Sequence, residues 1–244
     1  MLDYDAEADH YDRTRGGRPR AVAAAGAVLS LLPGGARVIV DVACGTGIVT
    51  EHLSGGGRTV LGVDRTAGMI AKAAHRLPGR AARGDALRLP LRSSSVDAVV
   101  LVWLLHLLPD AAPVIAEATR VLRPGGRLIT TVDKNEAAFA PPSDLSTLTA
   151  PLRREHASSR PDAYPTIAAL CATHGHQPVG ETTFPGHGQG RSPRQWISAV
   201  TTDRIPWVPS SAAPPLLRAL AALPDQDAPR PDPLYRLTAF ATSR

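Results

Sequence analysis

The sequence predicts an α/β protein built on a doubly wound, mostly parallel seven-stranded sheet, with helices on both faces and a lid over the edge where the strands end. Three observations lead there. Short β-branched runs alternate with helical stretches as far as Val132, the cadence of a parallel sheet whose crossovers are helices. Breaker clusters stand at the junctions, as in Pro33-Gly34-Gly35 and Pro124-Gly125-Gly126, where they stop helices and let the chain turn. After Asp133 proline-punctuated stretches take over, with two further strands before the end.

In order, Pro19 to Leu32 carries apolar residues at helical spacing, and Arg37 to Val42 is a β-branched run of the kind that forms a strand buried on both faces. Ala43-Cys44-Gly45-Thr46-Gly47 ends it, and a helical pattern follows from Ile48 to Leu53. Thr59 to Val63 reads as the second strand, ending at Asp64, and Ala67 to Leu77 as a helix. Arg80 to Gly84 is a weak third strand ending at Asp85, and Ser95 to Trp103 a strongly apolar fourth. A helix over about Ala112 to Leu122 precedes strand five, Arg127 to Val132. Lys134 to Tyr164 reads as an insertion over the sheet edge, Tyr164 to His174 as a helix, and Pro178 to Phe184 as strand six. Pro185 to Pro233 is rich in proline and glycine yet holds Trp196, Ile197, Trp207 and Leu216-Leu217, which predicts a lid with a packed underside before the last strand, Leu234 to Thr242.

One domain over residues 1–244 suits a chain of 25.6 kDa. It divides into a core, 1–133, and two lid or insertion segments, 134–164 and 185–233. No apolar run reaches the length of a membrane span. The opening residues are polar and acidic, without the basic start and apolar stretch of a secretory signal, so a cytoplasmic location is expected. Cys44 and Cys171 are read as reduced thiols, Cys44 because a disulfide would obstruct its glycine turn. The pI near 9.8 suggests a nucleic-acid partner until the basic residues are located. All but two of the 27 are arginines, spread from Arg13 to Arg244 without a block of like charge, as on a solvated surface. His174, His176 and His187 straddle a predicted strand, so no metal is expected.

Gly45-x-Gly47 alone is a weak signal, but its setting strengthens it. The pair follows a buried strand, opens a helix, and precedes a strand ending in Asp64 about twenty residues on, the spacing at which a carboxylate meets ribose hydroxyls. Asp85 adds an acid on the same edge. The third glycine of G-x-G-x-x-G is missing, which argues against a nicotinamide cofactor.

VIVDVACGTG resembles the first motif of the class I S-adenosylmethionine (AdoMet)-dependent methyltransferases. VLGVDRTAGMIAKA, RGDALRLPL, SSSVDAVVLVWLLHLLPD and LRPGGRLI resemble the later motifs in order, over roughly Tyr4 to Val132. The similarity is strongest to the branch of quinone-biosynthesis and natural-product tailoring enzymes. It implies a Rossmann-like fold, AdoMet as cofactor with S-adenosylhomocysteine (AdoHcy) as product, and no metal. By that resemblance Asp41 and the backbone around Ala43 to Gly47 hold the methionine part, and Asp64 binds the ribose hydroxyls. Met69 packs on adenine, and Asp85 with the backbone of Ala86 reads its amino group. Arg65, beside Asp64, and Trp103, at the end of strand four, complete the set. The stretch Tyr4 to Arg15 resembles the family's YD-x-x-R cover and nominates Tyr11 and Arg15.

Methyl transfer from a sulfonium is a direct displacement, so positioning supplies much of the catalysis, and a base is needed only when the acceptor must lose a proton. His106, Asp133 and His187, each just after a predicted strand, are the candidates. Trp103-Leu104-Leu105-His106 lacks the Asn- or Asp-Pro-Pro-aromatic cluster of nucleobase amino methylases. The expectation is methylation of a small-molecule acceptor under the lid, by a monomer or homodimer with no membrane attachment. A non-catalytic AdoMet-binding scaffold and a tRNA or rRNA methyltransferase are the alternatives, the latter favoured by the pI alone.

Overall fold

β-Branched residues alternate faces along each central strand, so both faces of the sheet are apolar and each requires a covering of helices. The computed structural model describes residues 5, 8, 10–155, 160–202, 205 and 207–242. The strands are β1 (Val38–Val42), β2 (Thr59–Asp64), β3 (Ala81–Arg83), β4 (Val96–Leu101), β5 (Leu122–Val132), β6 (His176–Pro185) and β7 (Leu234–Thr242). Their order is β3-β2-β1-β4-β5-β7-β6; the first five are parallel, and β7 runs antiparallel between β5 and β6. The helices are α1 (Tyr11–Thr14), α2 (Gly17–Ser30), α3 (Thr50–Leu53), α4 (Ala67–Arg76), α5 (Ala112–Val121), α6 (Asp144–Glu155), α7 (Tyr164–Thr173), α8 (Pro193–Thr201) and α9 (Ala213–Ala221).

Ile39, Val60, Val100 and Ile129 pack with Ala24 and Val28 of α2 and Leu53 of α3. Val40, Val99 and Leu128 pack with Ile115 of α5 and Ile167 of α7 on the other face. The order reverses between β1 and β4, and the loops leaving those two strands therefore flank a crevice, the usual ligand position in such sheets.

Two predicted boundaries move. The breaker Arg123 to Gly126 lies inside β5 as an irregularity: Val96 pairs with Leu122 and Ala98 with Arg127, so the intervening residues bulge out of the ladder. The helix after Gly47 starts at Thr50, because Gly45 and Gly47 both hold positive φ, 56° and 76°.

Described residues of the two predicted insertions, 134–164 and 185–233, pack together. Phe139, Leu145, Trp196, Val200, Leu216 and Leu220 form a core of their own, separate from the cores against the sheet. Arg230 clasps Asp144 with both oxygens at 2.8 and 2.6 Å, tying the second segment to the first. Helix α8 begins in a reciprocal cap, Ser192 Oγ accepting from the Gln195 amide and Gln195 Oε1 from the Ser192 amide. Trp196 and Trp207 lie 6.5 Å apart by ring centroid, each packed on Phe139. They form the packed underside expected of this segment.

Candidate functional site

The turn after β1 is held open for a ligand by its backbone. Ala43, Gly45 and Gly47 all adopt left-handed φ, which points amides and carbonyls outward where a β-carbon would normally intrude. A β-carbon built on Gly45 would meet only the Met69 sulfur, at 4.0 Å. Asp64 locks the turn to β2, its Oδ2 accepting from the Gly45 amide and Oδ1 from the Thr66 amide, both at 2.9 Å. Each oxygen retains a lone pair for a diol.

Asp41 is buried one layer below, where Thr50 donates its hydroxyl to Oδ2 at 2.6 Å. Burial raises its pKa to about 7, against the Thr50 hydrogen bond and with a smaller push from the charge of Asp64. Asp85 and Arg65 are exposed beyond β3 and β2, and Ala86 is half-buried. Oδ1 of Asp85 accepts from the Leu87 amide at 2.9 Å, which orients the carboxylate at the strand end. These residues fit AdoMet in chemistry: an open glycine cradle, an acid anchored to it through the Gly45 amide, and the buried Met69 beside the turn.

Sequence reasoning missed the clamp on the N-terminal side. Asp12 accepts from the Thr46 hydroxyl at 2.6 Å and from Arg76 at 2.7 Å, while Arg76 also donates to the Thr46 carbonyl at 2.7 Å. Helix α1 is thereby held against the turn, and Asp5 fixes the start of α4 by accepting from the Gly68 amide at 2.7 Å. Tyr4 lies outside the described residues.

Beside the turn is a cleft, open to solvent, lined by Tyr11, Arg15, Arg20, Val49 and Trp103. Tyr11, Arg15 and Trp103 were each expected at the site, and the cleft brings them together. Trp103 follows β4 rather than ending it, with φ 58° and its amide donating to Thr131 Oγ1 at 2.9 Å. Its ring meets Phe184 and Tyr235 edge-on at 5.7 and 5.4 Å. Arg20 went unnoticed although a signal exists: it falls on the buried stripe of α2 with Ala24, Ala27 and Leu31, a position where an unpaired charge is rare.

The three candidate bases are not equivalent. His106 is half-buried with Nδ1 unpartnered among the described residues. Burial lowers its pKa to about 3, helped by the charges of Lys134, Arg20 and Arg15. Asp133 has φ 49°, its Oδ1 accepts weakly from the Tyr164 amide at 3.4 Å and its Oδ2 faces Arg236 at 3.7 Å. His187 is exposed, and neither it nor His106 is among the residues that line the cleft. Lys134, also unforeseen, is pushed down to about 8 by burial and by Arg20 and Arg15, against the pull of Asp162. No group of three or more metal-ligating side chains occurs among the described residues, and none of their helices is long and apolar enough to cross a membrane.

Residues 40–130 match a methyltransferase-domain family model. A demethylmenaquinone methyltransferase of Beutenbergia cavernae is 37% identical over 132 residues, 52% of this chain and 54% of that protein. The chain spans about half the length of the curated relatives it matches. Among solved structures, a SAM-dependent methyltransferase of Thermotoga maritima, titled a possible histamine N-methyltransferase, aligns over 98% of both chains with TM-score 0.58 at 17% identity. The 4+2 cyclase SpnF aligns over 99% of this chain and 94% of its own with TM-score 0.60 at 18% identity. These two likenesses establish a shared fold, which by itself does not fix a reaction.

Proposed function

We propose that this chain is a class I AdoMet-dependent methyltransferase and transfers the AdoMet methyl group to a small organic acceptor held between the strand ends and the lid, a reading supported by the family-model match over residues 40–130 and by the demethylmenaquinone methyltransferase relatives. The observation that carries the reading is the glycine turn locked to Asp64 through the Gly45 amide. When bound, AdoMet supplies a methyl group on a sulfonium, open to in-line displacement. The residues of this chain do the rest: Asp64 for the ribose, Asp85 and Ala86 for the adenine edge, Met69 for its face, Asp41 for the methionine ammonium, and α1 as the cover. Arg65 stands at the rim of the adenine side, and Trp103 forms the floor toward the acceptor. A small acceptor is supported by the placement of cationic side chains around a cleft rather than in a surface stripe, and the demethylmenaquinone relatives act on a small molecule by name.

Methyl-labelled AdoMet incubated with the protein and a panel of phenols, quinols and ring carboxylates tests this. The proposal expects label in a small-molecule product with stoichiometric AdoHcy; label recovered only in RNA would contradict it.

Two further outcomes are expected. Asp41 must be charged to hold an ammonium, and its raised pKa means the free protein carries it partly protonated below about 7. AdoMet affinity therefore rises as pH increases through about 7 and levels off above, with proton uptake by buffer on binding at pH 6.5. Asp41→Asn flattens the profile; a flat wild-type profile in calorimetry at several pH values would show that Asp41 does not meet the ammonium. His106, neutral above about pH 4 given its value near 3, is assigned the role of a neutral hydrogen-bond partner to the acceptor. His106→Ala then lowers kcat roughly 10²-fold, while the wild-type pH profile contains no histidine titration between pH 5 and 8. Loss of activity confined to Asp133→Asn or His187→Ala would reassign the role.

A further inference from the structure

Arg20 is only 6% exposed. Its guanidinium lies 3.4 Å above the Trp103 ring centroid and 5.5 Å from that of Tyr235, so one face is spent on aromatic contact. Its single hydrogen bond among the described residues runs from Nη1 to the Arg15 carbonyl at 2.6 Å; Nε is buried without a partner. No carboxylate pairs with it among those residues. A buried cation without a counter-charge is costly, and the planar guanidinium is the group that best matches a carboxylate.

Arg20 is not alone. Lys134 and His106 both feel the charges of Arg20 and Arg15, Lys134 also that of Arg191, and Tyr235 those of Arg20, Arg15 and Arg191. Of these four cations, Arg15 and Arg20 line the cleft, while Lys134 and the exposed Arg191 act on the same region through their charge. Asp12 is taken up by Thr46 and Arg76 and Asp133 faces Arg236, while the buried Asp162, whose Oδ2 accepts from the Lys134 amide at 2.8 Å, partly offsets Lys134 and leaves Arg20 without a counter-charge among the described residues. One cofactor carboxylate could balance at most one of the four, and the sulfonium would add a further positive charge.

Resting on the methyltransferase reading above, we propose that the methyl acceptor is an organic anion, a ring-bearing carboxylate whose charged group binds at Arg20 above Trp103 with Lys134 alongside. The ring then lies against the cleft's apolar and aromatic lining of Tyr11, Ile48, Val49 and the Trp103 edge, which gives contact area at little entropic cost. The positive field of these cations draws such an anion into a cleft that would repel a cationic amine.

The test uses 2-naphthoate and its neutral isostere 2-naphthamide as probes, titrated calorimetrically into AdoHcy-saturated wild type, Arg20→Gln and Lys134→Gln. The proposal expects naphthoate to bind wild type about 10- to 100-fold tighter than the amide, as for a lost charge-assisted hydrogen bond. Arg20→Gln should remove most of that preference while AdoHcy affinity stays within about twofold, and Lys134→Gln, on a side chain that carries no structural ion pair among the described residues, should reduce it in part. Equal binding of the two probes by wild type overturns the proposal. So does a pattern in which Arg20→Gln weakens AdoHcy about tenfold or more and leaves the naphthoate preference intact, since Arg20 would then serve the cofactor's own carboxylate. Failure of wild type to bind AdoHcy at all would instead strike the methyltransferase reading, and the proposal with it.

Discussion

Trp196→Ala is expected to destabilise the protein by about 3–5 kcal/mol, the usual cost of truncating a buried tryptophan. Its ring is 6% exposed, stacked on Phe139 at 5.4 Å and facing Trp207. The lid core is small, so no neighbouring layer can collapse into the space. For a domain of this size the loss corresponds to a fall in Tm of roughly 6–20 °C. AdoHcy affinity measured well below Tm should stay near wild type, because Asp64 and the glycine turn belong to the sheet. An unchanged Tm accompanied by a raised acceptor KM would place Trp196 in the pocket wall.

Asp64→Ala is expected to weaken AdoMet binding by about 1.5–3 kcal/mol, roughly 10- to 150-fold. Two effects act in the same direction. The ribose loses its acceptors, and the turn loses the brace on the Gly45 and Thr66 amides. Asp64→Asn separates them: one oxygen remains to hold one amide, while the other position becomes a donor and can no longer accept. Its affinity should therefore fall nearly as far as that of the alanine variant, with less loss of Tm. Calorimetry and thermal unfolding on both variants read the two effects apart.

The cofactor half was legible because its chemistry is local in sequence. A β-branched run, two glycines at fixed spacing and acids at the ends of successive strands each have one structural consequence, and the parallel arrangement of the first five strands follows from the cadence they set, whereas the placing of β7 between β5 and β6 does not. Boundaries shifted where backbone geometry overruled composition, as at Thr50, which waits for two left-handed glycines before helix can begin. The clamp of Asp12, Thr46 and Arg76 was not legible, because its members lie 34 and 64 residues apart and meet only through tertiary packing. Arg20 was legible in principle: a charge on the apolar stripe of α2 marks either a buried pair or a ligand. The two tryptophans of the lid looked alike from either reading, since wall and core both use large aromatics, and only the joining of segments 134–164 and 185–233 around Phe139 decides between them.

The most direct measurement is calorimetric titration of wild-type protein with AdoHcy, AdoMet and NADH in parallel at pH 8, where Asp41 is charged. The account predicts saturable one-to-one binding of AdoHcy and AdoMet, lost by roughly 10- to 150-fold in Asp64→Ala, and no binding of NADH. Absence of heat with both sulfur ligands, or equal affinity in wild type and Asp64→Ala, would contradict it.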